Sequence, residues 1–180
     1  MKKHILMKTE KVILVGPSGS GKDYLLRGLL KRNLNYSPKF TTRPKRKFET
    51  DGLEYHFITN EEFHNLESED KIKTHQKFLI VDNIWYYGVT KENFDENQLF
   101  IMTPYEIGQL SEADLKKCFV VYLDIPLDIR KKRLIRREDQ NDSVERRLKA
   151  DELDFQSYNY YDLKITDPDF DSDSIYDLMY

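Results

Sequence analysis

The chain has little of what secreted or membrane-spanning proteins need. It holds one cysteine, Cys118, among 180 residues, so no internal disulfide can form and a reducing, cytoplasmic setting is expected. Cys118 leads into the apolar run Phe119-Val120-Val121, which favours an inert, buried thiol over a nucleophile. No apolar run approaches the roughly 20 residues that cross a bilayer. The opening Met1-Lys2-Lys3-His4-Ile5-Leu6-Met7-Lys8 has no apolar signal core. A surplus of positive charge is also missing. Lys and Arg total 29 against 32 Asp and Glu, a net charge of −3, which excludes a globally basic nucleic-acid binder. The histidines His4, His56, His64 and His75 do not fall with cysteine or carboxylates at ligand spacing, so no structural metal is expected. There is no internal repeat and no low-complexity linker. What is present is a modest core: 39% apolar residues, with 12 Tyr and 10 Phe. That argues against disorder and for one domain that needs no disulfide.

Lys11–Val15 reads as a buried strand ending at Gly16, and Asp23–Arg32 as a helix with Leu25, Leu26, Leu29 and Leu30 at helical spacing. A strand-rich span from about Asn33 to Asn93 follows. In it, Tyr55–Ile58 suits a strand, Glu61–Leu66 a short helix capped by Asn60, and Ile72–Val81 a strand or hairpin. Leu99–Met102 and Phe119–Asp124 read as further buried strands, with a helical or mixed segment at Tyr105–Lys117 between them. Pro126–Arg137 reads as a basic helix, Ser143–Tyr158 as a helix with Ser143 as its cap, Lys164–Thr166 as a short strand and Ser172–Tyr180 as a terminal helix. Strands alternating with helices imply an α/β fold with a parallel sheet.

Gly16-Pro17-Ser18-Gly19-Ser20-Gly21-Lys22 matches G-x-x-x-x-G-K between a strand and a helix. Glycines let successive backbone N–H groups turn inward around a phosphate, the helix adds its positive end, and Lys22 reaches the β- and γ-phosphates of a nucleotide. A Gly/Ser-rich turn with a surface lysine is the alternative, and the flanking elements count against it. Asp23 stands where such loops usually carry a Ser or Thr that ligates Mg²⁺. Its carboxylate can take that role as a hard oxygen ligand, or serve only the helix dipole.

A second basic segment, Thr41-Thr42-Arg43-Pro44-Lys45-Arg46, precedes Asp51-Gly52-Leu53-Glu54-Tyr55-His56-Phe57. Arg forks and a Tyr hydroxyl suit a second phosphate; a solvated basic loop is the other reading. Together these segments resemble the guanylate kinase family over nearly the whole chain. Phe63-x-x-Leu66, Tyr86-Tyr87-Gly88 and Arg146-Arg147-Leu148 continue the resemblance. It implies a phosphate-loop three-layer fold with a core at about 1–33 and 95–180, an acceptor-binding insert at about 34–94 and a helical lid at about 137–147. It implies ATP and Mg²⁺, with Gly16, Ser18, Gly19, Ser20, Gly21, Lys22 and Asp23 at the donor. Ser37, Arg43, Arg46, Tyr55 and Tyr87 would hold the acceptor phosphate. Arg147, with Arg136 or Arg137, would clamp the transferring group. The activity implied is ATP-dependent phosphoryl transfer to a nucleoside monophosphate, GMP or dGMP by default. Partners are then small nucleotides, without nucleic acid or membrane, and the protein is a monomer or homodimer.

The chain departs from that pattern where the base is read. Thr74 stands where the family has a guanine-reading Glu, and Ile101-Met102-Thr103-Pro104-Tyr105-Glu106 lacks the second guanine-reading Asp. Gly21-Lys22-Asp23, Thr74 and Tyr86–Val89 resemble the ribose 1,5-bisphosphate phosphokinases, which makes a base-free acceptor one alternative. A non-catalytic phosphate- or phosphopeptide-binding module is another. Trp85 and the adjacent tyrosines can stack on a base or pack in the core, and His75 can touch a base or sit satisfied in the interior.

Overall fold

The computed structural model describes residues 10–47, 49–80, 83–136 and 143–179. Chain order is β1 (Lys11–Val15), α1 (Lys22–Leu30), β2 (Phe40–Thr41), β3 (His56–Phe57), α2 (Asn60–Ser68), β4 (Ile72–Ile80) and β5 (Asn83–Thr90). Then come α3 (Lys91–Glu96), β6 (Leu99–Ile101), α4 (Pro104–Ile107), α5 (Glu112–Leu115), β7 (Cys118–Leu123), α6 (Leu127–Arg136), α7 (Val144–Phe155), β8 (Leu163–Ile165) and α8 (Ser172–Met179).

Four strands form a parallel sheet in the order β6-β1-β7-β8. Both faces of β1 are covered, which is why its apolar run is continuous. Val12 and Leu14 pack with Leu25 and Leu29 of α1 and with Ile175 and Met179 of α8. Ile13 and Val15 point the other way, to Phe94 of α3, Phe100 of β6 and Ile107 of α4. The side chains of Val12, Ile13, Leu14 and Val15 are fully buried, and each such burial is worth roughly 1.5–3 kcal/mol. The sheet thus lies between two helical layers. Helix α1 approaches α8 closely, because a Cβ added at Gly28 would lie 2.3 Å from the Ser172 side chain. Gly28→Val is therefore expected to destabilise by about 1–3 kcal/mol. An unchanged denaturant midpoint would remove this close contact from the account.

The second sheet has the order β3-β2-β5-β4, with β4 and β5 forming an antiparallel hairpin. Alternation sorts the adjacent tyrosines to opposite faces. Tyr86 stacks on Phe63 of α2 at 3.9 Å, and His75 meets the same ring at 5.6 Å. Both are packing residues on the α2 side. Tyr87 pairs in register with Thr41 and Gln76 on the other face.

Two local expectations change. The cap of α2 is Thr59 and not Asn60. Thr59 is extended, its hydroxyl accepts from the Glu62 amide, and the Glu62 carboxylate accepts from the Thr59 amide, so Asn60 is already the first helical residue. The segment Tyr105–Lys117 resolves into two one-turn helices, each with its own capping box, Thr103 with Glu106 and Ser111 with Asp114. Ser143 caps α7 as expected, accepting from the Arg146 amide. Cys118 is half-buried, and burial pushes its thiol up to about 11, which leaves it a poor nucleophile.

Candidate active site

The loop of residues 16–22 leaves β1 at the carboxyl end of the sheet, where α/β folds bind ligands. Gly19 and Gly21 sit at φ +77° and +99°, values open to glycine and strained for other residues. Gly19 has no room for a side chain, because its Cβ would lie 2.8 Å from the Arg130 carbonyl oxygen on α6. Lys22 Nζ folds back over the loop onto the carbonyls of Gly16 (2.6 Å) and Pro17 (3.0 Å). No side chain caps α1, whose N-cap is Gly21. Ser20 is fully buried and its hydroxyl has no partner. A glycine cradle, an uncapped helix start and an orphaned buried hydroxyl fit the phosphates of a nucleotide. Ser18, Gly19, Gly21, Lys22, Asp23, Leu134 and Arg147 line the adjoining cavity.

Two arginines that sequence reasoning did not single out hold the outside of this loop. Arg133 donates to the Gly19 carbonyl (3.2 Å) and to the Pro168 carbonyl (2.7 Å). Arg130 donates to the Ile125 carbonyl (2.9 Å) and to the Ser18 carbonyl (3.5 Å). Their three-residue spacing on α6 puts both on the loop side. Arg136 is exposed at the end of that helix. Arg137 and the 137–142 part of the expected lid lie outside the described residues.

The second basic segment folds around Arg43, which is only 4% exposed. Its guanidinium grips Glu49 with two bonds (Nη1 to Oε2 at 3.0 Å, Nη2 to Oε1 at 2.6 Å), and its Nε donates to the Tyr87 hydroxyl at 3.1 Å. The rings of Tyr55 and Phe57 lie 5.5 and 5.6 Å from it. Glu49 also accepts from the Arg46 amide (2.8 Å), and the Arg46 guanidinium lies 4.0 Å away. Burial alone would raise the Glu49 pKa, but hydrogen bonds from Arg43 and the Arg46 amide, with the charges of both arginines, hold it below the ordinary value. Nothing in the sequence pattern marked Glu49. Burial pushes the Tyr55 phenol well above its usual range, so it stays a protonated donor.

Asp23 is exposed on the first turn of α1. Its charge contributes to the raised pKa of Tyr55 and to that of Tyr36, which burial first and Asp23 second push up to about 12. Ser37 is not drawn into the Arg43 cluster in the bonds described; its hydroxyl pairs with His56 Nε2 at 3.0 Å. Thr74 is fully buried opposite Val89, and its hydroxyl has no partner. Gln76, two residues along the same face, also has an unpartnered buried carbonyl oxygen. Glu106 is fully buried but not available as a base reader: Lys39 holds both of its oxygens (2.7 and 2.5 Å), and the Thr103 amide occupies Oε2 as well.

A glycine loop between a buried strand and a helix, at the carboxyl end of a parallel sheet covered on both faces, defines a phosphate-loop α/β protein. The guanylate kinase family model matches residues 8–178. The guanylate kinase of Rickettsia felis is 33% identical over 170 residues, covering 89% of this chain and 86% of that protein. The guanylate kinase of Histophilus somni is 31% identical over 172 residues, covering 88% and 80%. The crystal structure of guanylate kinase from Anaplasma phagocytophilum superposes with a TM-score of 0.67 at 25% identity, covering 96% of this chain and 86% of that one. The chain belongs to the guanylate kinase family. No helix among the described residues is long and apolar enough to cross a membrane.

Proposed function

We propose that the protein transfers the γ-phosphoryl group of ATP to the phosphate of a nucleoside monophosphate, with GMP or dGMP as the default acceptor, and that Mg²⁺ accompanies the donor. The observation that carries this reading is that one chain holds both a phosphate loop with an unpartnered buried hydroxyl and the Arg43–Tyr87 cluster, since transfer between two polyanions needs positioning and charge neutralisation at both. The bound nucleotide supplies the group to be transferred. The loop amides, Lys22 and the positive end of α1 hold the donor phosphates. Arg133 and Arg130 hold the Gly19 and Ser18 carbonyls on the α6 side of the loop. Asp23 is the candidate Mg²⁺ ligand. Residues of the 34–94 insert serve the acceptor: Arg43, Arg46, Tyr55 and Tyr87 hold its phosphate. Arg147, lining the loop cavity, neutralises charge on the transferring group, and Arg136 or Arg137 is its candidate companion.

Thr74 and Gln76 give the base end of this site neutral hydrogen-bonding groups in place of a carboxylate. A carboxylate bond to guanine is worth roughly 1.5–3 kcal/mol, so weak discrimination between GMP and IMP is expected, because IMP lacks only the exocyclic amine. A coupled ADP-release assay across all ribo- and deoxyribonucleoside monophosphates tests the whole reading; no turnover with any of them sinks it. In the same panel, Thr74→Glu is expected to raise the GMP-over-IMP preference by about 10- to 100-fold. An unchanged ratio removes Thr74 from the base site.

A further inference from the structure

We propose that Asp151 is a positioning residue for the transfer reaction, tying the phosphate loop to α7 so that Arg147 faces the loop. This rests on the phosphoryl-transfer reading above. Asp151 Oδ2 accepts the Ser18 amide at 2.9 Å, and Oδ1 accepts the Ser18 hydroxyl at 3.2 Å. Arg130 Nη1 lies 3.6 Å from Oδ2, while Arg130 Nε is anchored on the Ile125 carbonyl. One carboxylate thus joins the donor loop, α6 and α7. The Arg130 and Asp151 side chains are 12% and 14% exposed, so bulk water screens the pair little, and the bonds from Ser18 to the carboxylate are charge-assisted.

Arg147 lies four residues before Asp151 on α7, one turn away on the same helix face. Arg147 lines the loop cavity. Seating Asp151 on Ser18 therefore fixes the rotation and height of α7 that bring Arg147 to the loop. A carboxylate beside a polyanion site opposes binding unless it is offset, and Arg130 supplies the offset. The consequence is that Asp151 acts on the rate of transfer, through Arg147, more than on donor affinity.

The test compares wild type, Asp151→Ala, Asp151→Asn, Arg147→Ala and the Arg147→Ala/Asp151→Ala double variant. Turnover is measured with saturating ATP and GMP. Binding of a methylanthraniloyl-ATP probe is measured without acceptor. Asp151→Ala is expected to lower kcat by roughly 10- to 100-fold and to shift the probe Kd by less than about threefold. Asp151→Asn keeps an acceptor for the Ser18 amide and recovers part of the loss. In the Arg147→Ala background the same Asp151→Ala change is expected to have little further effect, because the group it positions is gone. Unchanged kcat, equal losses in both backgrounds, or probe binding lost in step with kcat each overturn the proposal. A wild-type protein that turns over nothing while still binding the probe refutes the function reading instead, and this inference with it.

Discussion

Lys22→Ala is expected to lower kcat by about 100- to 1000-fold, the usual scale for removing one preorganised donor from a developing negative charge. The folded protein should tolerate the change. Lys22 Nζ donates to loop carbonyls, and Gly16 and Pro17 can turn those carbonyls to water. A near-wild-type melting temperature with collapsed turnover is therefore the expected pair of results. Retained turnover would mean that the loop does not hold the reacting phosphates. Lys22→Arg should not rescue, because the longer planar fork does not fit a position that meets two carbonyls at 2.6 and 3.0 Å.

Arg43→Ala should damage both stability and activity, for separable reasons. It strands Glu49, whose side chain is 12% exposed, as a nearly buried charge without its main partner. Breaking such a pair costs about 3–5 kcal/mol. It also removes a cation from the acceptor site and releases the Tyr87 hydroxyl that its Nε holds, so the acceptor KM should rise by roughly 100-fold or more. Adding Glu49→Gln removes the stranded charge and should restore much of the melting temperature while leaving the acceptor KM high. Recovery of both, or of neither, would contradict the assignment of Arg43 to phosphate binding. The same pair sets an acid limit. Glu49 has a folded pKa held below its unfolded one, so its contribution is complete above the ordinary carboxylate pKa of about 4.3. That contribution is lost as pH falls through the lowered folded value. Arg43→Ala should flatten this part of the stability–pH curve in acid unfolding.

The core was legible because its signals are local. An apolar run that stops at Gly16, the G-x-x-x-x-G-K spacing and the leucine periodicity after Asp23 each report on a few adjacent residues. The arginine–tyrosine segment was legible through its resemblance to a family, and Arg43, Tyr55 and Tyr87 do come together in space. What could not be read depends on which side of an element faces what. Arg130 and Arg133 belong to a helix crowded with basic residues, and only its seat against Gly19 selects those two. Tyr86 and Tyr87 are adjacent in sequence, but strand parity sends one to Phe63 and the other to Arg43. No motif marks Asp151, and only the fold brings it to Ser18. Thr59 and Asn60 are adjacent residues that both suit a cap, and only backbone geometry chooses Thr59.

The most direct test of phosphoryl transfer between the two anion sites is a phosphorus-31 NMR time course. It uses the purified protein with ATP, Mg²⁺ and GMP, beside Lys22→Ala. Wild type should produce ADP and GDP in equal amounts, and the variant should produce neither at a comparable rate. ADP with inorganic phosphate and no GDP, or transfer to ribose 1,5-bisphosphate with none to any nucleoside monophosphate, would contradict it.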